Sequence, residues 1–121
     1  MKIYTSYFAN WRKFPPNARV LGITKFPFAH LPYPNEKLLA PSEELLADYK
    51  AGKIDVAEFT KRFVMELKGR GFTNGKDLAA SLARASKGKD LILCCYEKKG
   101  EFCHRHILAE ILRPYVEVEE L

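Results

Sequence analysis

Asp90-Leu91-Ile92-Leu93-Cys94-Cys95-Tyr96 is the stretch that decides the fold. A continuous apolar run of this length is typical of a strand that is buried on both faces, as in a parallel sheet. It leads through a loop, 97–102, into a segment, 103–113, whose apolar residues recur with the helical period and which Pro114 ends. Residues 115–118 can then form a short final strand. Strand, helix and strand in this order predict a right-handed crossover onto a mostly parallel sheet.

Upstream of this run, the first part of the chain predicts two further strands and a long loop. Residues 2–8 and 19–25 are rich in β-branched and aromatic side chains with partial alternation, which is typical of strands. Residues 26–41 contain four prolines and no helical period. A loop of this length in a small domain is either a lid or binding surface, or a rigid segment that wraps over the core.

Three helices are predicted between the loop and the apolar run, and each follows a residue that can cap its first turn. Ser42 precedes a helix that extends to about residue 51, and Asn74 precedes one that Gly88 ends. The second of the three helices lies between these two, and Asp55 and Glu58 have the spacing of a capping box at its start. The apolar residues of these helices recur on one face, which is typical of core packing.

Composition limits the chain to one small globular domain. Its 121 residues leave room for a single hydrophobic core, and 47% hydrophobic with 29% charged residues is ordinary for a folded protein. No apolar run approaches the roughly 20 residues that a membrane-spanning helix needs. We therefore expect residues 1–121 to form a single three-layer α/β domain with a small, mostly parallel sheet of the Rossmann-like type.

The N-terminus and the cysteines favour a cytoplasmic location with reduced thiols. Residues 1–7 predict a strand that starts at once, without the apolar segment and cleavage site of a signal peptide. The three cysteines all lie within residues 94–103, whereas a secreted disulfide framework spreads an even number of cysteines through the chain. We expect no association with a membrane.

Positive charge and aromatic rings are concentrated in the first 35 residues. This stretch contains five basic residues, no acidic residue and eight of the fifteen aromatic residues. Cations neutralise phosphates and ring faces stack on bases, so the stretch suits a nucleotide or nucleic-acid partner. The candidate nucleic-acid-binding residues are Arg12, Lys13 and Arg19. The alternative is that the rings only pack against the core.

The segment between the buried strand and the following helix contains the residue types of a reactive site. Ligands of open α/β sheets bind at the carboxyl ends of the strands, where loops lead into helix N-termini. We expect Cys103 in the first helical turn, where the helix dipole favours negative charge, and Arg105 adds a cation. Such a place suits a phosphate or carboxylate and favours a reactive thiolate. Glu97 can act as a general base or can pair with Arg105.

Two motifs in this segment give the chain a resemblance to a known family. They are Leu93-Cys94-Cys95-Tyr96-Glu97-Lys98 and Phe102-Cys103-His104-Arg105-His106-Ile107-Leu108-Ala109, and the opening strand Ile3-Tyr4-Thr5-Ser6-Tyr7-Phe8 accompanies them. They resemble the signature of the family called domain of unknown function 488, a Cys-x-Glu after the last core strand and a Cys-His-Arg at the start of the next helix. By that resemblance, the signature positions are taken by Cys95, Glu97, Cys103, His104 and Arg105.

The second strand departs from the pattern of the family that the chain resembles. Longer members carry an Asp-Val-Arg motif there, where this chain has Gly22-Ile23-Thr24-Lys25. We expect Lys25 to stand in for the arginine, while the acidic partner is missing. The candidate anion-binding residues are Arg105, Lys25 and His104, and the candidate catalytic residues are Cys95, Glu97 and Cys103.

Two more specific chemistries are disfavoured by residue spacing. The segment contains metal-ligand types, but Cys95-x7-Cys103-His104 lacks the Cys-x-x-Cys knuckles of structural zinc, and Arg105 places a cation beside the ion. A phosphatase-type nucleophile needs a cysteine and an arginine around a short phosphate loop, and neither cysteine has that spacing from Arg105. We therefore expect no metal and no cofactor.

Several of these residues also have purely structural interpretations. Cys94 and Cys95 point to opposite faces of a strand, so Cys94 is expected to be inert core. Cys103 can be simply a small buried residue. His106 is expected to be exposed, because it lies on a different helical face from His104.

Two functions follow from these observations. The first is a small enzyme or enzyme-like domain that binds a phosphate-bearing ligand, a nucleotide or nucleic acid, with Cys95 or Cys103 as the nucleophile. The alternative is a non-catalytic nucleic-acid-binding or adaptor module, in which Glu97 and Arg105 form a structural ion pair. A catalytic thiol would react rapidly with an alkylating agent at neutral pH, and a structural one would not. In both cases the two thiols, Glu97 and Arg105 should converge on one pocket.

Overall fold

Residues 1–98 and 100–121 are described by a computed structural model, so Lys99 of the expected loop lies outside the described residues. The chain forms a single α/β domain whose strands are β1 (Lys2–Tyr7), β2 (Arg19–Gly22), β3 (Leu91–Cys95) and β4 (Glu117–Glu120). All four strands are parallel, in the order β2-β3-β1-β4. The helices are α1 (Glu43–Lys50), α2 (Val56–Gly69), α3 (Gly75–Ser86) and α4 (His104–Leu112). Among the described residues, no helix is long and apolar enough to cross a membrane.

The first three helices begin where the sequence predicts. The side chains of Ser42, Asp55 and Asn74 each accept a hydrogen bond from the backbone N–H three residues further on, at 3.1, 2.8 and 2.9 Å. Each bond satisfies one of the amide groups that a helix start leaves without a partner in the helix. At the end of α3, Lys87 and Gly88 adopt left-handed φ angles of 55° and 77°, as in a common helix C-terminus.

The apolar run forms the interior strand β3, as predicted. All five of its residues are buried, and β3 pairs with β2 on one side and with β1 on the other. The register places Leu91 beside Ile3 and Cys95 beside Tyr7. Helix α4 begins at His104, immediately after Cys103, and packs against β1, β3 and β4. The carboxyl end of the central strands therefore lies beside the start of α4.

All four strands differ from their expected bounds: β1 and β3 each end one residue early, at Tyr7 and Cys95, and β2 and β4 differ by more. Strand β2 ends at Gly22, and the N–H and carbonyl of Thr24 bond instead to the side chain of Asn35, at 3.1 and 2.9 Å. The final strand begins at Glu117 rather than at residue 115, because the N–H groups of residues 115 and 116 still bond to the Leu112 carbonyl. The chain thus completes the helix C-terminus before it turns into the sheet.

The proline-rich loop is anchored to the outer edge of β2. The N–H of Gly22 donates to the Pro34 carbonyl, and the N–H of Glu36 donates to the Gly22 carbonyl, both at 2.8 Å. These bonds pair Gly22 with Asn35 in the manner of a parallel strand. The loop therefore pairs with the last residue of the edge strand β2, where the backbone groups of Gly22 would otherwise be unpaired, and this anchoring favours the interpretation as a rigid wrap.

Candidate functional site

The two predicted reactive cysteines meet at the carboxyl edge of the sheet. Cys95 is the last residue of β3 and Cys103 is the N-cap of α4, and the structure pairs their Sγ atoms as a disulfide although their Cα atoms are 7.7 Å apart. The expectation that these two thiols are reduced is therefore not confirmed, and Cys94 is the free cysteine. A carboxylate oxygen of Glu97 belongs to the same cluster, in which all three side-chain atoms lie within 4.8 Å of one another. We call Cys95, Glu97 and Cys103 the thiol–carboxylate cluster.

Arg105 borders this cluster from the first turn of α4. Its side chain is fully buried, and its Nη1 donates to the Sγ of Cys95 at 2.9 Å and to the backbone carbonyl of Glu97 at 2.6 Å. A guanidinium at this distance stabilises the negative charge of a thiolate. The expected convergence of the two thiols, Glu97 and Arg105 is therefore found in the structure.

The expected ion pair between Glu97 and Arg105 is wrong. Within the described residues Arg105 makes its ion pair with Glu120, whose Oε2 lies 3.0 Å from Nη2, and Nε adds contacts of 3.2 and 3.3 Å to the two oxygens. Glu97 contacts Arg105 only through its main chain, which leaves its carboxylate directed to the cluster.

The register of β4 explains why Glu120 is the partner. Glu120 lies beside Thr5 of β1, and the Thr5 hydroxyl donates to its Oε1 at 2.5 Å. Arg105 crosses above the ring of Tyr7, with its guanidinium carbon 5.8 Å from the ring centre. Sequence reasoning missed Glu120 because the contact depends on pairing between distant strands. The available signal was the alternation of Val118 and Glu120, which puts both on one sheet face.

Burial also changes the role expected for Arg105. With no exposed surface and with its donors directed to Cys95, Glu97 and Glu120, Arg105 is not placed to take an anion directly from solution. Arg105 instead donates hydrogen bonds to the Cys95 sulfur and to the Glu97 main chain from the buried side of the thiol–carboxylate cluster.

His104 has a fixed orientation and no charge near neutral pH. Its Nε2 donates to the Ile23 carbonyl at 2.5 Å, so its Nδ1 is the acceptor nitrogen, and this atom lies 3.6 Å from the Sγ of Cys103. Burial lowers the pKa of His104 from 6.5 to about 4; the hydrogen bond to the Ile23 carbonyl opposes this shift, and Arg105 and His106 add smaller effects that lower the pKa further. A neutral ring whose one N–H is used by the Ile23 carbonyl has no donor left for an anion, so the geometry does not support the expectation that His104 binds one.

Cys94 lies on the opposite face of β3 and takes no part in the cluster. It is fully buried, and burial raises the pKa of its thiol to about 12. This agrees with the expectation that Cys94 is inert core.

His106 is half-exposed, 4.0 Å from the Glu120 carboxylate.

Two adjoining clefts open beside the cluster. The first, of about 210 Å³, is lined by Thr24, Lys25, Lys50, Cys95, Glu97 and His104, among others. The second, of about 170 Å³, shares Lys50, Glu97 and His104 with the first and adds Cys103 together with the rings of Tyr49, Phe59 and Phe102. We call the two together the cluster cleft.

Two lysines bring positive charge to the cluster cleft. Lys25 was expected at an anion-binding position, as the stand-in for the arginine of the family's second-strand motif. Lys50 comes from the last turn of α1 and was missed. Thr24 is buried beside Lys25, and within the described residues its Oγ1 has no hydrogen-bond partner. An unpaired buried hydroxyl is costly unless a ligand or water completes its hydrogen bonding.

The three expected nucleic-acid-binding residues do not all lie near the cleft. Arg19 is the first residue of β2, at the edge of the sheet opposite to the thiol–carboxylate cluster. Arg12 and Lys13 are exposed on the 3-10 helix that follows β1, where Arg12 lies 5.1 Å above the ring of the exposed Trp11. The basic stretch is therefore divided between the two ends of the sheet.

These features define a small α/β protein with a thiol–carboxylate cluster at the carboxyl edge of a parallel sheet. The chain belongs to the DUF488-N3a family, described as the active DUF488-N3 subclade, whose model matches residues 34–115, about two thirds of its length. The matched region contains the whole cluster and both signature motifs, and it confirms the resemblance seen in the sequence. Lys25 lies before the matched region. No curated protein and no solved structure is detectably similar to the chain.

Proposed function

We propose that this protein is a small enzyme that acts on a phosphate-bearing ligand, a nucleotide or the end of a nucleic acid, in the cluster cleft. The observation that carries the proposal is that Lys25 and Lys50 line the same cleft as Cys95 and Glu97. Two ammonium groups beside a cysteine that is a nucleophile in its reduced form and beside a carboxylate combine a place for an anionic group with groups able to react. The thiol–carboxylate cluster is the reacting centre.

The other polar groups of the cleft support a phosphate ligand. A phosphate oxygen can accept a hydrogen bond from the Thr24 hydroxyl, which within the described residues has no other partner. Lys25 and Lys50 neutralise the charge of the phosphate, and Glu97 is the carboxylate available to accept or donate a proton. Arg105 lies behind the cluster, where its contact with the Cys95 Sγ would stabilise a thiolate once the cysteine pair is reduced.

Exposed rings beside the cleft favour a nucleotide over inorganic phosphate. Phe26 and Tyr96 line the cleft and are 57% and 44% exposed, and Phe28 lies 6.2 Å from the ring of Tyr96. The Tyr96 hydroxyl donates to the Phe26 carbonyl at 2.7 Å and holds these two segments together. Exposed ring faces next to lysines are suited to stack on a base while the lysines hold its phosphate.

The alternative is a non-catalytic nucleic-acid-binding module, and the exposed Trp11 with Arg12 above its ring favours it. In that case binding would depend on Arg12 and Lys13 and would weaken steeply as the salt concentration rises. The lysines of the cleft would then be dispensable for affinity.

Calorimetric titration of the full chain with nucleoside mono-, di- and triphosphates tests the proposal. We expect saturable binding, weakened about tenfold by Lys25→Glu or by Lys50→Glu, since a lost ion pair of about 1.4 kcal/mol corresponds to that factor. Lys61→Glu is the matched control, because it makes the same charge change on the exposed surface of α2. Absence of binding at low salt, or equal affinity of all three variants, would contradict the proposal.

A further inference from the structure

We propose that Cys95, Cys103 and Glu97 bind a divalent metal ion of the zinc class and that this ion belongs to the reacting centre. Its place in catalysis rests on the proposed function, whereas the binding of the ion does not. The ligand set assigns both thiols to coordination instead of the nucleophilic role expected from the sequence.

The first support is the geometry of the three side chains. Zinc bonds of about 2.0–2.3 Å in a tetrahedral arrangement place neighbouring ligand atoms roughly 3.3–3.8 Å apart. The two Sγ atoms and a Glu97 oxygen all lie within 4.8 Å of one another, so once the cysteine pair is reduced, small side-chain rotations are sufficient to surround an ion. A strand end and a helix N-cap hold the two thiols in place, which takes the role that a Cys-x-x-Cys knuckle has in structural zinc sites.

The second support is the separation of the two cysteine backbones. Their Cα atoms are 7.7 Å apart. Disulfides usually join Cα atoms that are about 4.4–6.8 Å apart, and a wider pair requires movement of the backbone. An ion between the two thiolates lets the cysteine backbones lie further apart than a disulfide does, because each sulfur then lies about 2.3 Å from the metal and is not bonded to the other sulfur.

The third support is the charge around the cluster. Arg105 donates to Cys95 at 2.9 Å, and a cation there would oppose a second positive charge if it were unpaired. Glu120 pairs with the other side of the guanidinium at 3.0 Å, so the ion-paired unit adds little net charge. Arg105 is then an outer donor to a metal-bound thiolate, of the kind that orients ligands in metal sites.

The ligand types select the ion and its coordination. Two thiolates with one carboxylate favour zinc over magnesium or calcium, which prefer oxygen ligands throughout. Three protein ligands leave the fourth tetrahedral position for water or for an oxygen of the ligand, as in catalytic zinc sites. Cys95 and Glu97 also line the lysine-bearing part of the cluster cleft, so a phosphate oxygen can reach the same ion.

The test is metal titration of the full chain after reduction and removal of metal with a chelator. We expect one equivalent of Zn²⁺ to bind in competition with a chromophoric chelator, and Co²⁺ to give a sulfur-to-metal charge-transfer band. Cys95→Ser and Cys103→Ser should each weaken zinc binding by about a hundredfold, and Glu97→Gln by about tenfold. Cys94→Ser is the matched control, because this neighbouring thiol faces the other side of the sheet, and it should bind zinc as the unchanged protein does.

Several outcomes would overturn the inference. These are zinc binding well below one equivalent, equal losses in Cys94→Ser and Cys95→Ser, and a Cys95–Cys103 disulfide that persists under reduction. Titration with a nucleotide in parallel separates the two proposals. Nucleotide binding without zinc binding would remove only the metal site, whereas zinc binding without any nucleotide binding would remove the proposed function.

Discussion

Arg105 and Glu120 are joined by an Nη2–Oε2 hydrogen bond of 3.0 Å and by contacts of Nε with both carboxylate oxygens, while Nη1 of the same guanidinium reaches Cys95. One side chain on α4 thus connects β4 to β3 across the central strand β1. Arg105 is fully buried, and the Glu120 side chain is 22% exposed. The contact couples the packing of the last strand to the environment of the Cys95 thiol.

Arg105→Ala is expected to lower the free energy of unfolding by about 3 kcal/mol, because it leaves the Glu120 carboxylate without its partner in a largely buried position. Urea denaturation at pH 7 measures the change. Arg113→Ala is the control, since Arg113 pairs with Glu110 on the exposed face of α4 and should cost less than about 1 kcal/mol. Similar losses of unfolding free energy in the two variants would mean that the buried Arg105–Glu120 pair stabilises the fold no more than the exposed pair does.

Cys94 should be the slowest thiol to react. Burial raises the pKa of Cys94 to about 12, whereas Cys95 has a guanidinium beside its sulfur. In metal-free protein at pH 8, a variant that keeps only Cys95 should alkylate about a hundredfold faster than one that keeps only Cys94. Iodoacetamide labelling followed by mass spectrometry gives the two rates. After unfolding in urea, the two variants should react at equal rates, which serves as the control. Equal rates in the folded proteins would contradict this prediction.

Acid should destabilise the metal-free protein through His104. The folded pKa of His104 is lowered from 6.5 to about 4 by burial, so the unfolded chain takes up this proton at a higher pH than the folded chain does. The stability that the neutral ring contributes is complete above about pH 6.5 and is lost as the pH falls toward 4, a change of roughly 3 kcal/mol.

Denaturation of His104→Gln at pH 7 and at pH 4 measures this contribution. The variant should lose less stability between the two pH values than the unchanged protein. His106→Gln, which alters a half-exposed histidine on the same helix, should lose as much as the unchanged protein. The same pH dependence in all three proteins would show that His104 does not control the acid response.

Gly22→Ala should weaken the attachment of the proline-rich loop. A Cβ atom at Gly22 would lie 2.5 Å from Oδ1 of Asn35, whose amide is held by both backbone groups of Thr24. The side chain cannot withdraw without losing those bonds, so we expect a loss of about 1–3 kcal/mol in urea denaturation. Gly69→Ala is the control, because a Cβ there meets open space, and it should be neutral or stabilising. A neutral Gly22→Ala would mean that the loop is not anchored at Asn35.

The parts of the fold that local chemistry controls could be predicted from the sequence. The apolar run from Leu91 to Cys95 and the caps at Ser42, Asp55 and Asn74 depend only on neighbouring residues, and the structure confirms them. The meeting of the two thiols follows for a related reason, since a strand end and the next helix start are joined by a short loop.

The remaining parts of the site depend on contacts between distant segments. Glu120 reaches Arg105 through the pairing of β4 with β1, and Lys50 reaches the cleft through the packing of α1. The alternation of Val118 and Glu120 indicates the sheet face of Glu120 but not its partner, and the packing of Lys50 leaves no spacing that can be recognised in the sequence. The interpretation of Arg105 as a direct anion ligand was wrong for a related reason, because the sequence does not show that its donors are taken up by Cys95, Glu97 and Glu120 in a buried position.

The central position of β1 has a consequence for how this protein folds during synthesis. Both neighbours of β1 in the sheet, β3 and β4, follow it at the far end of the described chain. As the ribosome adds residues in order, the apolar side chains of β1 have no sheet partner until residues 91–95 have been made. Pairings between such distant segments form slowly, and an unpaired strand is prone to aggregate. Fragments that end before β3 should therefore be insoluble, and the yield of folded protein should depend on whatever protects β1 during translation.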